Sequence, residues 1–378
     1  MYDAIIVGAR CGGSPTAMLL ARRGYRVLLV DRATFPSDIY KNHFVRQEGI
    51  AQLARWGLLE KVKASNCPPV RTQILDLGDF PLLLETPLSG EADAEYGPRR
   101  IVLDKILVDA AVEAGVELRE GFSVLEVLTE NDRAIGIRGK SQQGSVVTEY
   151  ANVIIGADGH HSIVASTMKA PVYNVRPVLT CGYYSYWSGV QCDKLEVYIR
   201  DRPAFLLAFP TNDGLTCLAT ELPLSQFAWF RTDIEGNFNR IFDLAPDIAE
   251  RMHAGTREER YRGTADLPNF MRKPYGPGWA LVGDAGYHKD PFTARGVSDA
   301  FRDAELLANA VDEALSGKRT FEKAMATYER KRNEEAMPGY DETCAMASFL
   351  PVPPQAFEWR RQLRAEQVGR AVLVASEQ

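Results

Sequence analysis

Residues 4 to 13, AIIVGARCGG, confine the fold of this chain more than any other stretch. Four β-inclined residues, Ala4, Ile5, Ile6 and Val7, run into Gly8. After Gly12 and Gly13 the segment SPTAMLLARRG has helical apolar spacing, and YRVLLVD is an apolar strand that ends on Asp31. Strand, glycine turn, helix and strand in one compact unit make a βαβ arrangement of the kind that holds a dinucleotide.

The glycines of such a turn have separate tasks. The first makes the tight turn, the second lets a pyrophosphate approach the backbone, and the third lets the helix pack against the strand. Gly8 and Gly13 stand at the first and third places, and Gly12 adds room. Arg10 occupies the second place, which puts a cation beside a helix N-terminus where anions already bind. The site stays usable if that side chain turns away from the loop or bonds the phosphate. Asp31 follows about 20 residues on, where an acid receives ribose hydroxyls. A nucleotide-free turn with a surface arginine fits the same letters.

Composition narrows the class. A length of 378 residues suits two to three domains, or one large domain with an insertion. The chain is 46% hydrophobic and 25% charged, with a net charge of −6 and no basic block, so a nucleic-acid footprint is not expected. Cysteines 11, 67, 181, 192, 217 and 344 show neither C-x-x-C nor paired Cys/His spacing. They read as reduced thiols, with no metal site expected. The first strand begins at about residue 3, which leaves no room for a signal peptide, and no apolar run is long enough to span a bilayer. The expectation is a cytoplasmic protein without stable membrane association, monomeric or homodimeric.

Along the chain, QEGIAQLARWGLLEKV reads as one helix, residues 71–97 as short strands with turns, and LDKILVDAAVEAG as an amphipathic helix. Residues 123–156 suit a strand meander, and LTCGYYSYWSG, KLEVYIR, AFLLAFP and LTCLATEL read as further strands. A largely helical stretch follows at about 225–256, and the chain is mostly helical again from Val297. The expected fold class is α/β. A discontinuous nucleotide-binding domain (1–75, 98–170 and 268–325) is interrupted by a mainly antiparallel β domain (76–97 and 171–267). A helical C-terminal segment (326–378) follows.

Two later segments repeat one theme. VIIGADGHHSIVA (153–165) is a buried strand followed by Asp158-Gly159. GWALVGDAGYHKDPFTARGVSDAF (278–301) is another, followed by Gly283-Asp284, a loop and a helix. With the N-terminal unit, these motifs resemble the FAD-dependent single-component aromatic hydroxylases of the p-hydroxybenzoate hydroxylase type. Geranylgeranyl-reductase-like enzymes and flavin halogenases are relatives of that family. The resemblance runs from residue 3 to about 335.

It implies a Rossmann-like FAD-binding domain in which Gly8, Arg10, Gly12 and Gly13 surround the pyrophosphate. Asp31 meets the adenosine ribose, and Arg32 lies along the adenine. Asp158 and Gly159 match a pair near the pyrophosphate that is linked to nicotinamide-cofactor binding. Gly283 and Asp284 match the carboxylate turn at the ribityl chain, and Arg100 falls where a polar residue touches that chain. Pro291, Gly296 and Val297 match the loop and helix start beside the isoalloxazine, and Arg46 matches an arginine opening the second helix. Structural roles compete with these. Asp284 could be a helix cap, Asp158 a turn former, Pro291 and Gly296 loop punctuation, and Arg46 and Arg100 solvated surface residues.

The catalytic candidates are Pro291, His288, Asp290 and Arg295, with His288 and Asp290 as base or relay and Arg295 as a cation beside reduced flavin. The family shows histidine where Tyr287 stands and a small or apolar residue at Asp290, so solvent-facing or structural roles compete here as well. His160 and His161 read as turn residues. Tyr184, Tyr186 and Trp187 are the candidate substrate wall, although aromatic core packing explains them equally.

The activity implied is oxygenation of an aromatic or electron-rich small molecule, a secondary metabolite or xenobiotic-like compound. NADH or NADPH and O2 would be consumed by way of a flavin C4a-hydroperoxide. A reductase saturating isoprenoid or polyene double bonds and a non-catalytic flavin-binding carrier are the alternatives. The W-x-W-x-I-P segment of the halogenases is absent.

Overall fold

The computed structural model describes residues 1–376 apart from 40, 42 and 87–89, with side chains as far as 368. Positions 87–89 of the expected 76–97 segment and 377–378 of the C-terminal segment lie outside the described residues.

Continuous apolar runs build the centre of the first sheet, because strands covered on both faces have no use for polar alternation. Tyr2–Val7 pairs in parallel with Val27–Val30 on one side and with Val146–Gly156 on the other. Trp279–Leu281 extends the sheet beyond Val146–Gly156, and Glu117–Arg119 extends it beyond Val27–Val30. The strand Val146–Gly156 has two uses. Its first half pairs antiparallel with Arg133–Lys140 and its second half runs parallel to Tyr2–Val7. Helices Gly13–Ala21, Arg100–Glu113 and Gly296–Leu315 cover one face through Met18, Leu20, Leu103, Leu107, Phe301 and Ala304, all buried.

QEGIAQLARWGLLEKV is two helices, Gln47–Arg55 and Leu59–Ala64, rather than one. Gly57 between them sits at φ +77°, a left-handed conformation that ends a helix instead of continuing it.

The second sheet orders Thr256–Arg257, Thr180–Ser188, Thr216–Pro223, Ala204–Pro210, Leu195–Arg200, Thr72–Asp76 and Pro81–Glu85. Its strand Thr180–Ser188 is buried from Thr180 to Trp187, so its two faces enter different cores. Cys181, Tyr183 and Trp187 pack with the helices Ile234–Phe242 and Pro246–Ala254. Tyr184 and Tyr186 face the opposite way, toward Phe44, Phe209 and Phe292. Trp187 therefore does not join the two tyrosines in one wall. Its ring stacks on Phe238 at 5.4 Å and meets Tyr261 edge-on at 5.9 Å. The period of two along a strand separates it from them.

From Gly296 onward the chain is helical through Gly296–Leu315, Phe321–Ala347 and Pro354–Ser376. Arg332, fully buried in the second of these, donates to the carbonyls of Gly286 and Arg272 and to the Tyr173 hydroxyl. It thereby ties this helix to the segment that follows Trp279–Leu281.

Trp187→Ala removes a stacked ring from a closed core and is expected to destabilise the protein by about 3–5 kcal/mol. The check is the midpoint of urea unfolding. A normal midpoint combined with altered substrate affinity would return Trp187 to the ligand wall.

Candidate functional site

Three segments distant in sequence meet at the carboxyl ends of the parallel strands, where open α/β sheets bind their ligands. Gly8, at φ +103°, lies so close to Ala157 that a Cβ there would collide with the Ala157 carbonyl and press on the Asp158 amide. Gly13 approaches the Gly8 carbonyl just as closely. Gly12 has ordinary space, with an added Cβ 3.5 Å from Val282 and 3.7 Å from Gly283. Backbone packing thus demands glycine at 8 and 13, whereas at 12 it leaves a smooth, approachable surface.

Arg10 turns away from the turn. Its guanidinium pairs with Asp104 Oδ2 at 2.5 Å, donates to Ser37 Oγ at 3.1 Å and lies over the Phe35 ring. Asp104 is fully buried on helix Arg100–Glu113 and also receives Arg100 through Nε at 3.1 Å and Nη2 at 2.8 Å. Arg100 is itself buried, which removes the surface-arginine reading. Two arginines around one carboxylate leave a net positive charge beside the glycine turn, suited to an anionic ligand.

Asp31 serves the turn directly. Oδ2 accepts the Ala9 N–H at 2.7 Å and Oδ1 accepts the Ala33 N–H at 2.8 Å, which pins the loop to the end of Val27–Val30. Each oxygen keeps a second lone pair for a ribose hydroxyl. Arg32 next to it is exposed.

Asp158 accepts the Ile163 N–H through Oδ2 at 2.7 Å, while its buried Oδ1 has no hydrogen-bond partner. Ser14 Oγ, in the first turn of Gly13–Ala21, is also buried and unpartnered. Ser14 Oγ, an orphaned hydroxyl beside a Cβ-free turn, is a donor that fits the diphosphate of FAD, whereas the open acceptor at Asp158 Oδ1 suits a hydroxyl, an N–H or a water. Gly159 adopts φ +82° with open space around it.

Asp284 follows Gly283, which sits at φ +61°. Its side chain is 35% exposed and its Oδ2 lies 3.2 Å from Lys41 Nζ and 4.0 Å from His288 Nε2. Burial opposes ionisation of this carboxyl, but the Lys41 ammonium more than offsets it and holds the pKa below the ordinary carboxylate range. A carboxylate held ionised at an accessible position suits the acceptance of ribityl hydroxyls.

The loop 287–297 divides into buried and open parts. His288 is buried, with Nδ1 2.5 Å from the Pro268 carbonyl, and burial lowers its pKa. Asp290 does not face the open part. It accepts from Thr180 Oγ1 at 2.6 Å and from the Phe292 N–H at 3.2 Å, capping the short helix Pro291–Thr293. Burial raises the pKa of Asp290, and burial together with the Asp290 carboxylate pushes Glu221 well above its ordinary value, so each acid opposes ionisation of the other. Asp290 is therefore a structural acid. Pro291 begins the short helix, Ala294 turns through φ +53°, and Arg295 and Gly296 are exposed at the start of Gly296–Leu315, with Val297 buried behind them. Arg46 pairs with the buried Glu95 at 3.2 Å and opens helix Gln47–Arg55, a clamp rather than a free surface cation.

On the second sheet, Tyr186 carries a partner that the sequence did not reveal. His43 is buried, its Nδ1 3.2 Å from the Gly97 carbonyl and its Nε2 2.9 Å from the Tyr186 hydroxyl. A carbonyl only accepts, so Nδ1 carries the proton and Tyr186 donates to Nε2. Burial pushes the His43 pKa down to about 3 and raises that of Tyr186, so both remain neutral. Lys41, His43 and Asp104 were missed because each is an isolated residue whose partner lies far along the chain.

The geometry describes a dinucleotide-binding α/β protein, and similarity places it in a family. Residues 1–343 match the family described as FAD binding domain, so the chain belongs to that family. A tryptophan 2-halogenase of Chondromyces crocatus is 24% identical over 86% of this chain, which spans only 64% of the halogenase's length. A digeranylgeranylglycerophospholipid reductase of Methanocella arvoryzae is 23% identical over 88% of this chain and 83% of its own. A kynurenine 3-monooxygenase of Salinispora arenicola is 29% identical over 87% of this chain and 75% of its own. Among solved structures, the myxobacterial chondrochloren halogenase CndH superposes with a TM-score of 0.83, covering 97% of this chain and 90% of its own at 23% identity. The protein is an FAD-dependent oxidoreductase of the group that contains monooxygenases, halogenases and geranylgeranyl reductases.

Asp284→Asn keeps the shape and removes the charge, and should weaken FAD binding about tenfold, or about 1.4 kcal/mol. Because the pKa of Asp284 is depressed, wild type keeps this charge at every pH above about 4 and loses it only as pH falls through the lower folded value. Titration of apoprotein with FAD at pH 7 and pH 5 checks both points. Equal affinity of wild type and Asp284→Asn at pH 7 overturns the assignment.

Proposed function

We propose that this protein is an FAD-dependent monooxygenase that uses NADH or NADPH and O2 to oxygenate an aromatic or electron-rich small molecule. One observation carries the reading. The aromatic face of the second sheet closes on the loop that follows Asp290, with the Phe205 ring 4.1 Å from Phe292. Tyr184, Tyr186, Phe209 and Phe44 belong to the same cluster. Planar, apolar walls with a few neutral polar tips suit a small aromatic ligand. The kynurenine 3-monooxygenase relative is consistent with this choice. No helix among the described residues is long and apolar enough to cross a membrane.

FAD, when bound, supplies the electron transfer and the oxygen chemistry. The chain's own groups bind and orient it. The turn at Gly8–Gly13 and Ser14 hold the diphosphate, Asp31 the adenosine ribose and Asp284 the ribityl chain. The N-terminus of Gly296–Leu315 and Arg295 supply positive potential to a ring that becomes anionic on reduction. His43 holds the Tyr186 hydroxyl proton in an uncharged pair, which leaves the Tyr186 oxygen as a fixed acceptor for the substrate side. The aromatic cluster excludes water, which protects reactive species from wasteful breakdown.

Turnover of a substrate found by a panel assay of NAD(P)H oxidation should require oxygen. The product should gain one oxygen atom, labelled when heavy-isotope oxygen gas is supplied. Anaerobic turnover to a product two hydrogens heavier would make the protein a saturating reductase and overturn the proposal.

A further inference from the structure

The turn after Val146–Gly156 presents two neighbouring histidines to one acid from another part of the chain. His160 Nε2 lies 2.9 Å and His161 Nε2 2.7 Å from the same oxygen, Asp266 Oδ2. The three atoms all lie within 4.8 Å of one another. Ligand atoms bound to one tetrahedral zinc at about 2.0–2.1 Å stand about 3.3 Å apart. The two measured spacings fall short of that value by about 0.4–0.6 Å, so an ion enters with shifts of well under an ångström at the carboxylate.

The frame is fixed from both sides. The Ile163 N–H bonds to Asp158 Oδ2 at 2.7 Å, and Ser162 Oγ accepts the Ala165 N–H at 3.0 Å, which locks the turn onto helix Ile163–Thr167. Arg272 Nη2 donates to the His160 carbonyl at 2.9 Å. Asp266 stands two residues past the strand Arg262–Thr264, with its N–H bonded to Thr264 Oγ1 at 3.0 Å. His160 also neighbours a second trio with Asp284 and His288. There the Lys41 ammonium already sits on Asp284 and repels a cation. In the first trio, among the described residues, Asp266 pairs with the two histidines and with no lysine or arginine, and its His161 and Asp266 side chains are 77% and 56% exposed, open to an entering ion.

We propose that His160, His161 and Asp266 form a binding site for a divalent late transition-metal ion of the zinc type. Two imidazoles and one carboxylate match the donor preference of such ions and leave a fourth position for water. The ion replaces the two N–H···O bonds that now join the histidines to Asp266. It bridges the turn beside the glycine loop to the segment leaving the second sheet.

The test is a zinc titration of tag-free holoprotein against a chromophoric chelator, in parallel with His161→Ala, Asp266→Asn and the double variant. Both substituted side chains are largely exposed, so the fold is expected to survive, and flavin content is measured in each sample. Wild type should withhold one equivalent of Zn²⁺ at micromolar free metal. Each single variant should bind at least about tenfold more weakly with unchanged flavin content, and the double variant should show no stoichiometric binding. Failure of wild type to compete, or equal binding by the double variant, overturns the site.

Discussion

The close approach of Gly8 to Ala157 is the contact on which the rest of the site depends. Two parallel strands must end side by side, and the chain leaving each must turn at once. With Gly8 at φ +103° and the Ala157 carbonyl against its Cα, the first turn folds under the second. Gly13 then seats its helix on the Gly8 carbonyl. The helix N-terminus is thereby delivered beside Asp158, and Gly12 comes to rest on Val282 and Gly283. A side chain at position 8 or 13 would push three segments apart together, since they share a single packing point.

Charge is arranged around this point with little redundancy. Asp104, fully buried, would be costly if left alone, and Arg10 and Arg100 neutralise it from two directions. The surplus positive charge stays beside the turn. Arg10 thus serves the loop without filling it, because its guanidinium is carried sideways to Ser37 and Asp104. On the far side, Lys41 keeps Asp284 ionised while that carboxylate remains accessible. Anion-attracting and hydroxyl-accepting groups are therefore separated along the cleft, as a ligand with a diphosphate at one end and a polyol next to it requires.

Much of this was legible in the sequence for a physical reason. Glycine spacing, buried runs and Asp-Gly pairs report backbone geometry, which is local. The partners of the charged residues were not legible. Nothing near Arg10 announces Asp104, 94 residues away, and nothing near Tyr186 announces His43, 143 residues away. Alternation along Thr180–Ser188 did separate Tyr184 and Tyr186 from Trp187, yet the chemical likeness of aromatic residues favoured grouping all three. The helices behind Trp187 decide its role. Asp290 failed as a catalytic candidate for a similar reason. Its carboxylate is consumed by Thr180 and the Phe292 amide, and the short helix it caps is what sets the loop.

That last contact joins the two sheets in function as well as in space. Thr180 begins the strand that carries Tyr184 and Tyr186, and its hydroxyl holds Asp290 at the root of the loop leading to Gly296. Glu221, on the neighbouring strand, is coupled through its charge to the same acid. A second full negative charge there would be buried without a cation, and burial together with the neighbouring carboxylate raises the pKa of Glu221 well above the ordinary carboxylate range. The aromatic face of the second sheet and the loop leading to Gly296 are thus fixed to each other through the Thr180–Asp290 hydrogen bond rather than through apolar packing alone. Packing alone would tolerate sliding between sheet and loop. Directional bonds from Thr180 and the Phe292 amide do not, and they hold the aromatic wall in register with the start of Gly296–Leu315.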